Sequence, residues 1–153
     1  MRLRIIWIGK TRDAHLRTLC EAYLKRLSHF ARCEITELRD HASGNAKTGI
    51  EKESQRISDA LRDSTEVVLL DREGSEWSSE QLAEKVRRWN DSGAREVTFI
   101  IGGPSGVSPK LAATVKKRWS LSRMTFTHEM VRVLLLEQLY RAYAIIHGLP
   151  YQK

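Results

Sequence analysis

A chain of 153 residues, with 41% hydrophobic and 29% charged side chains, is long enough for one domain with a full core and too short for two comfortable ones. Its 26 Lys and Arg against 19 Asp and Glu leave a net charge of +7, a balance that favours a polyanionic partner such as RNA or DNA without requiring one. The apolar runs Ile5–Ile8 and Met130–Leu136, the second broken by Arg132, are too short for a signal core or a membrane span, so no membrane is expected and the cytoplasm is the default compartment. Cys20 and Cys33 form no C-x-x-C, and the five histidines include no H-E-x-x-H, so neither a disulfide framework nor a metal site is expected.

Arg2 to Gly9 reads as a strand whose nearly continuous apolar run suits burial on both faces. Asp13 can cap a helix to about Leu27, with Leu16, Leu19, Cys20, Tyr23, Leu24 and Leu27 inward. Cys33–Leu38 alternates like a second strand. Arg39–Gly49 is polar and contains glycine, as a mobile loop would. Ile50–Leu61 has helical periodicity, and Val67–Leu70 reads as a short buried strand ending at Asp71. Ser78 and Gln81 form a capping box for a helix through about Asn90. Glu96–Ile101 is the next strand, followed by the turn "IIGGPSGVSP". Ser108 can cap the helix after it, with Pro109 in the first position. Trp119–Phe126 reads as a last, irregular strand. A final helix runs from about Glu129 to His147 and stops at Gly148.

This alternation predicts an α/β fold, a largely parallel sheet flanked by helices, in a single domain over residues 1–153. Ligands of such sheets bind beyond the carboxyl ends of the strands. Gly9–Arg12, Leu70–Gly74, Ile101–Gly106 and Thr125–His128 should therefore gather at one edge. A P-loop is excluded there: "GKT" at Gly9–Thr11 would need a glycine at Arg4, inside the first strand. G-x-G-x-x-G is also absent, and Pro104 and Pro109 remove two N–H donors that a phosphate would want. The glycine turn thus suits a flat, neutral ring better than a phosphate, or no ligand at all. The last helix is apolar on nearly every side, as a buried or interface helix is. It nonetheless carries His128 and Arg132 four apart on one face and Glu137 and Arg141 four apart on another, the second pair expected to be structural.

Four stretches carry a family resemblance: "RLRIIWIGKT", "LLDREG", "FIIGGPSGVSP" and "WSLSRMTFTHEMVRVLLLEQLYRAYAIIHGLPY". Across essentially the whole chain they resemble the RlmH-type methyltransferases, small SPOUT-class enzymes that methylate N3 of a pseudouridine in large-subunit ribosomal RNA. The resemblance implies a SPOUT-type α/β knot, its C-terminal part threaded as a trefoil knot. It implies S-adenosylmethionine as cofactor, a homodimer whose sites are completed by the partner chain, and rRNA as substrate, within an assembled ribosome. It places the cofactor against Leu70, Gly102 and Gly103, and against Leu121, Ser122, Arg123, Met124, Thr125, Phe126 and Thr127. The family ending Pro-Tyr-His is here Pro150, Tyr151, Gln152, so any proton-accepting role of that histidine is missing.

Methylation at N3 needs that nitrogen deprotonated, so orienting the base and stabilising the developing anion are the chemical demands. Arg132 is the candidate for polarising a uracil carbonyl, His128 for general base and Tyr151 for base contact. Lys10, Arg12, Arg72 and the Arg39–Lys47 loop are candidates for rRNA phosphates. The competing expectation is a non-catalytic RNA-binding or ribosome-associated module that retains the fold.

Overall fold

The computed structural model describes residues 1–41 and 45–151. Five strands and five helices alternate along the chain. They are β1 (Arg2–Ile8), α1 (Ala14–Leu27), β2 (Arg32–Leu38), α2 (Ala46–Ala60) and β3 (Glu66–Glu76), then α3 (Ser79–Asp91), β4 (Glu96–Ile101), α4 (Pro109–Thr114), β5 (Lys117–Ser120) and α5 (His128–Ile146). The strands form one sheet in the order β2-β1-β4-β3-β5, and every neighbouring pair is parallel.

The apolar run of β1 divides between the two faces, as a doubly covered strand requires. Leu3, Ile5 and Trp7 join Val68, Val97, Phe99 and Ile101 beneath α1, α3 and α5. Ile6 and Ile8 join Leu69 and Ile100 against Ile57 of α2 and Leu111 of α4. The first layer is the larger because α5 fills it: Leu135, Leu136, Leu139 and Ala142 are wholly buried. Each buried leucine contributes about 1.5–3 kcal/mol by area. The helix ends where Gly148, at φ +63°, takes a left-handed conformation, with Leu149 N–H bonded to Ala144 O at 2.9 Å and Gly148 N–H to Ile145 O at 3.2 Å. The expected caps at Asp13 and Ser108 and the box at Ser78 and Gln81 are all formed.

Four expectations need correction. Leu19 is 45% exposed, on the outer side of α1 rather than in the core. Helix α2 begins at Ala46 because Asn45 accepts the Lys47 N–H and caps it; Ala42–Gly44 of the expected loop lie outside the described residues. Strand β3 is longer than four residues. Both Leu70 and Ser75 pair with Trp119, so residues 71–74 leave the ladder as a bulge and pairing resumes beyond it. Strand β5 is shorter, ending at Ser120: Ser120 Oγ donates to Ser122 O at 2.9 Å, turning the chain out of the sheet, and residues 121–127 form a loop.

Candidate active site

Three excursions from the carboxyl ends of neighbouring strands enclose one cleft: the β3 bulge, the turn after β4 and the loop after β5. Its walls include Leu70, Asp71, Arg72, Ile101, Gly102, Gly103, Pro104, Gly106, Trp119 and Leu121, with Ser122, Met124, Thr125, Phe126, His128 and Val131. The cavity is about 200 Å³. The fourth expected segment, Gly9–Arg12, stands beside it rather than in it. There the Arg12 N–H donates to Glu129, and the Arg12 guanidinium pairs with Asp40 at 3.2 Å.

The glycine turn is tight for stated reasons. Gly106 N–H donates to Gly103 O at 2.9 Å, and the two residues make an isolated antiparallel bridge. A Cβ on Gly102 would lie 2.9 Å from the Gly106 carbonyl carbon and 3.0 Å from its oxygen. One on Gly103 would lie 2.8 Å from Glu53 Oε2. The turn then enters α4, where the buried Ser108 N–H is used by Ser54 Oγ at 2.8 Å and Ser108 Oγ accepts Leu111 N–H. These donors serve the chain itself, so the turn is no anion cradle.

The loop over the cleft is held at its base and apolar at its crest. Ser122 Oγ accepts the Met124 N–H at 3.0 Å, and Arg72 donates to Thr125 Oγ1 at 3.3 Å. Met124 is 72% exposed and Phe126 37%, two large apolar side chains beside an apolar cleft. Such exposure marks a binding surface more often than a stray residue. Of the ten residues expected to hold a ligand, eight line this cleft. Arg123 faces a separate hollow with Arg72, Glu73, Gly74 and Glu76, and Thr127 caps α5 by accepting the Met130 N–H at 3.3 Å.

His128 opens α5 in the cleft wall. Burial lowers its pKa, the Arg132 guanidinium one turn on lowers it further, and Glu129 partly offsets both. The shift favours the neutral imidazole, the form that can accept a proton. Arg132 is fully buried. Its guanidinium donates to Thr11 Oγ1 at 2.8 Å and Ile8 O at 2.6 Å and stacks over the Trp7 ring at 4.8 Å, tying the start of α5 to the end of β1. It points into the protein, away from where a base would meet it. Tyr151 lies outside the cleft, on the α1–α5 side. Its hydroxyl donates to Glu137 at 3.0 Å and meets Tyr23 at 3.3 Å, its ring packs edge-on against Tyr140, and burial pushes its pKa up. Glu137 and Arg141 form the expected structural pair at 2.6 Å. Gln152 lies outside the described residues.

Sequence reasoning missed Trp119 and Val131 as wall residues, and Glu53 altogether. Trp119 was legible only as strand core: its ring stacks on Trp77 at 4.9 Å while its edge meets the cleft. Among the described residues no helix is long and apolar enough to cross a membrane.

The family model described as "Predicted SPOUT methyltransferase" matches residues 1–152. A protein named ribosomal RNA large subunit methyltransferase H from Desulfotalea psychrophila is 43% identical over 153 residues, covering 100% of both chains. Its namesake from Geotalea daltonii is 41% identical over 99% of both. Among solved structures, a probable methylase family protein from Haemophilus influenzae superposes with TM-score 0.63 at 12% identity, over 99% of this chain and 70% of that one. A methyltransferase from Legionella pneumophila, in complex with the bound cofactor SAM, superposes with TM-score 0.51 at 13% identity over 93% and 66%. At such identities the structures speak for the fold; the full-length sequence matches speak for descent. The chain belongs to the SPOUT methyltransferase family.

Proposed function

We propose that the protein methylates large-subunit ribosomal RNA, at N3 of a pseudouridine, using S-adenosylmethionine held in the cleft beneath the 121–127 loop. One observation carries the reading: a glycine-floored, apolar cleft at the strand ends, in a chain 43% identical end to end to a large-subunit rRNA methyltransferase. The cleft fits the cofactor. Leu70, Leu121, Met124 and Phe126 offer apolar walls for an adenine ring, Gly102 and Gly103 supply backbone to the floor, and no phosphate nest competes. When bound, S-adenosylmethionine supplies a methyl group on a positively charged sulfur.

The chain's own residues then have to bind the base, orient it and take its N3 proton. His128, neutral and in the cleft wall, is placed to accept that proton. Arg132 serves as a positioning residue. Its buried guanidinium, bonded to Thr11 and Ile8 O, fixes the start of α5 and adds to the burial that lowers the His128 pKa. Exposed Lys10 and Arg12 flank the cleft where rRNA phosphates would pass, so binding should weaken steeply with salt.

The reading includes a homodimer and the C-terminal trefoil knot of the family. Exposed Leu19, Met130 and Leu149 sit on α1, on α5 and just past its end. A second copy seated there would cover these apolar side chains. The knot rests on membership of the SPOUT family, whose resemblance implies it.

The test is mass spectrometry of ribosomes or rRNA incubated with the protein and isotope-labelled S-adenosylmethionine. A labelled methyl on a large-subunit pseudouridine is the expected result, lost in Gly103→Trp. Cofactor binding without methyl transfer to any rRNA would overturn the activity, and a monomer by light scattering would overturn the shared site.

A further inference from the structure

Behind the glycine floor of the cleft stands a carboxylate with a free end. Glu53, in the second turn of α2, accepts the His41 N–H on Oε1 at 2.9 Å. Among the described residues, its other oxygen has no hydrogen-bond donor and no ion-pair partner. That oxygen, Oε2, comes so close to Gly103 that a Cβ there would lie 2.8 Å from it. Glu53 is half-buried, so the charge is only partly screened by water. The neighbouring cations are committed elsewhere: Arg12 to Asp40, and Arg132 to Thr11 and Ile8 O. His128, in the cleft wall, feels the Glu53 charge.

A carboxylate behind the floor of the cleft, close to the Gly103 backbone that lines it, acts through that backbone on whatever charge binds there. The His41 N–H on Oε1 orients the carboxylate, so its other oxygen faces Gly103 before anything binds. The missing Cβ of Gly103 is what lets it stand so close to the floor. The occupant of this cleft, on the reading given above, carries a fixed positive charge on sulfur. The product after methyl transfer, S-adenosylhomocysteine, has a neutral thioether in its place and otherwise the same groups.

We propose that Glu53 is a specificity-determining residue that recognises the positive sulfur of the cofactor and so favours S-adenosylmethionine over S-adenosylhomocysteine. It attracts the charged reactant and has no such hold on the product, which assists product release. A full charge at short range, at an effective dielectric of ~20, is worth about a tenfold change in affinity or more. The inference rests on the assignment of the cleft to S-adenosylmethionine.

Calorimetry on the wild-type protein and Glu53→Gln, with each of the two ligands, tests it. The glutamine keeps an acceptor for the His41 N–H and removes only the charge. The expected result is that the variant binds S-adenosylmethionine about tenfold more weakly and S-adenosylhomocysteine within about twofold of wild type. Equal weakening of both ligands would overturn the proposal, since Glu53 would then be reading a shared group or shaping the wall. Unchanged affinity for both, with a slowed single-turnover rate, would overturn it in favour of a proton-handling role. A second measurement needs no variant: sinefungin has an amine-bearing carbon in place of the sulfur, and its ammonium should make it bind wild type more tightly than S-adenosylhomocysteine. Parity between those two would also overturn the proposal. Failure of the wild type to bind any of the three ligands would instead refute the assignment of the cleft.

Discussion

Gly102→Ala tests whether the turn after β4 is as rigid as its contacts imply. The added methyl would sit 2.9 Å from the Gly106 carbonyl carbon, 3.0 Å from its oxygen and 3.0 Å from Val107 Cγ1. Two of those neighbours are backbone, so no side-chain rotation relieves them. The turn must open by about half an ångström, a shift that weakens the Gly106–Gly103 hydrogen bond, worth ~1 kcal/mol. Overpacking adds ~1–3 kcal/mol, and the alanine returns ~0.4–1 kcal/mol by restricting the unfolded chain. The net is a loss of about 2–3 kcal/mol, or roughly 5–10 °C in Tm for a chain of this size. Because Gly102 and Gly106 both line the cleft, S-adenosylmethionine affinity should fall with it. Gly103→Ala is the matched control: its close neighbour is the tip of a Glu53 side chain, which can swing aside, so stability should stay within about 1 kcal/mol of wild type. Urea denaturation and calorimetry on the two variants decide. A Gly102→Ala protein with wild-type stability and wild-type cofactor affinity would refute the argument, as would equal destabilisation by both substitutions.

Three further expectations follow from buried or close contacts. His128 has a folded-state pKa below its ordinary 6.5. Between those two values the unfolded chain holds a proton that the folded chain does not; the stabilisation is complete above 6.5 and is lost as pH falls through the folded value. His128→Gln should therefore lose less stability than wild type on acidification from about pH 7 to 5, in denaturant titrations, and parallel curves would contradict the shift. Arg132→Lys should cost about 2–4 kcal/mol, because one ammonium cannot serve Thr11, Ile8 O and the Trp7 face together. Wild-type stability in that variant would show that the guanidinium is held for chemistry rather than position. Gly74→Ala should destabilise by about 2–4 kcal/mol, since its Cβ would lie 2.5 Å from the Arg118 carbonyl carbon, in the paired backbone of β5. Thermal melts would show it, and an unchanged Tm would mean that the β3 bulge adjusts freely.

Much of the scaffold was legible because its signals are local. Period and capping located α1, α3, α4 and α5 to within a residue or two, and the apolar run of β1 announced a strand covered on both sides. The parallel sheet followed from alternation, and the rule about strand ends then drew three of four segments to the cleft. What failed was governed by pairing across the sheet. Nothing in "LLDREGSEW" tells that Leu70 and Ser75 both face Trp119, so the bulge could not be read from sequence. Residues 119–126 look strand-like by composition, yet pairing stops at Ser120 opposite Glu76, and the Ser120 side chain bonds to the Ser122 carbonyl as the chain turns away.

The side chains of the site divide along the same line. A helical period put His128 and Arg132 on one face, correctly, but could not say that the face splits between a cleft and the core. Position decides it: residue 128 opens the helix in the cleft wall, while residue 132, one turn on, meets Ile8 O and the Trp7 ring in the core. Charge type alone would have sent the arginine towards RNA, since exposure is the default for a guanidinium. Glu53 was lost for the opposite reason. On a polar helix it looks like any solvated glutamate, and only the missing Cβ of Gly103, fifty residues on, gives it a place at the cleft. The glycine turn therefore has two sides. Towards the ligand it offers bare backbone, and towards α2 it admits a carboxylate that a side chain at 103 would push away, so loss of that glycine should be felt in cofactor charge recognition more than in stability.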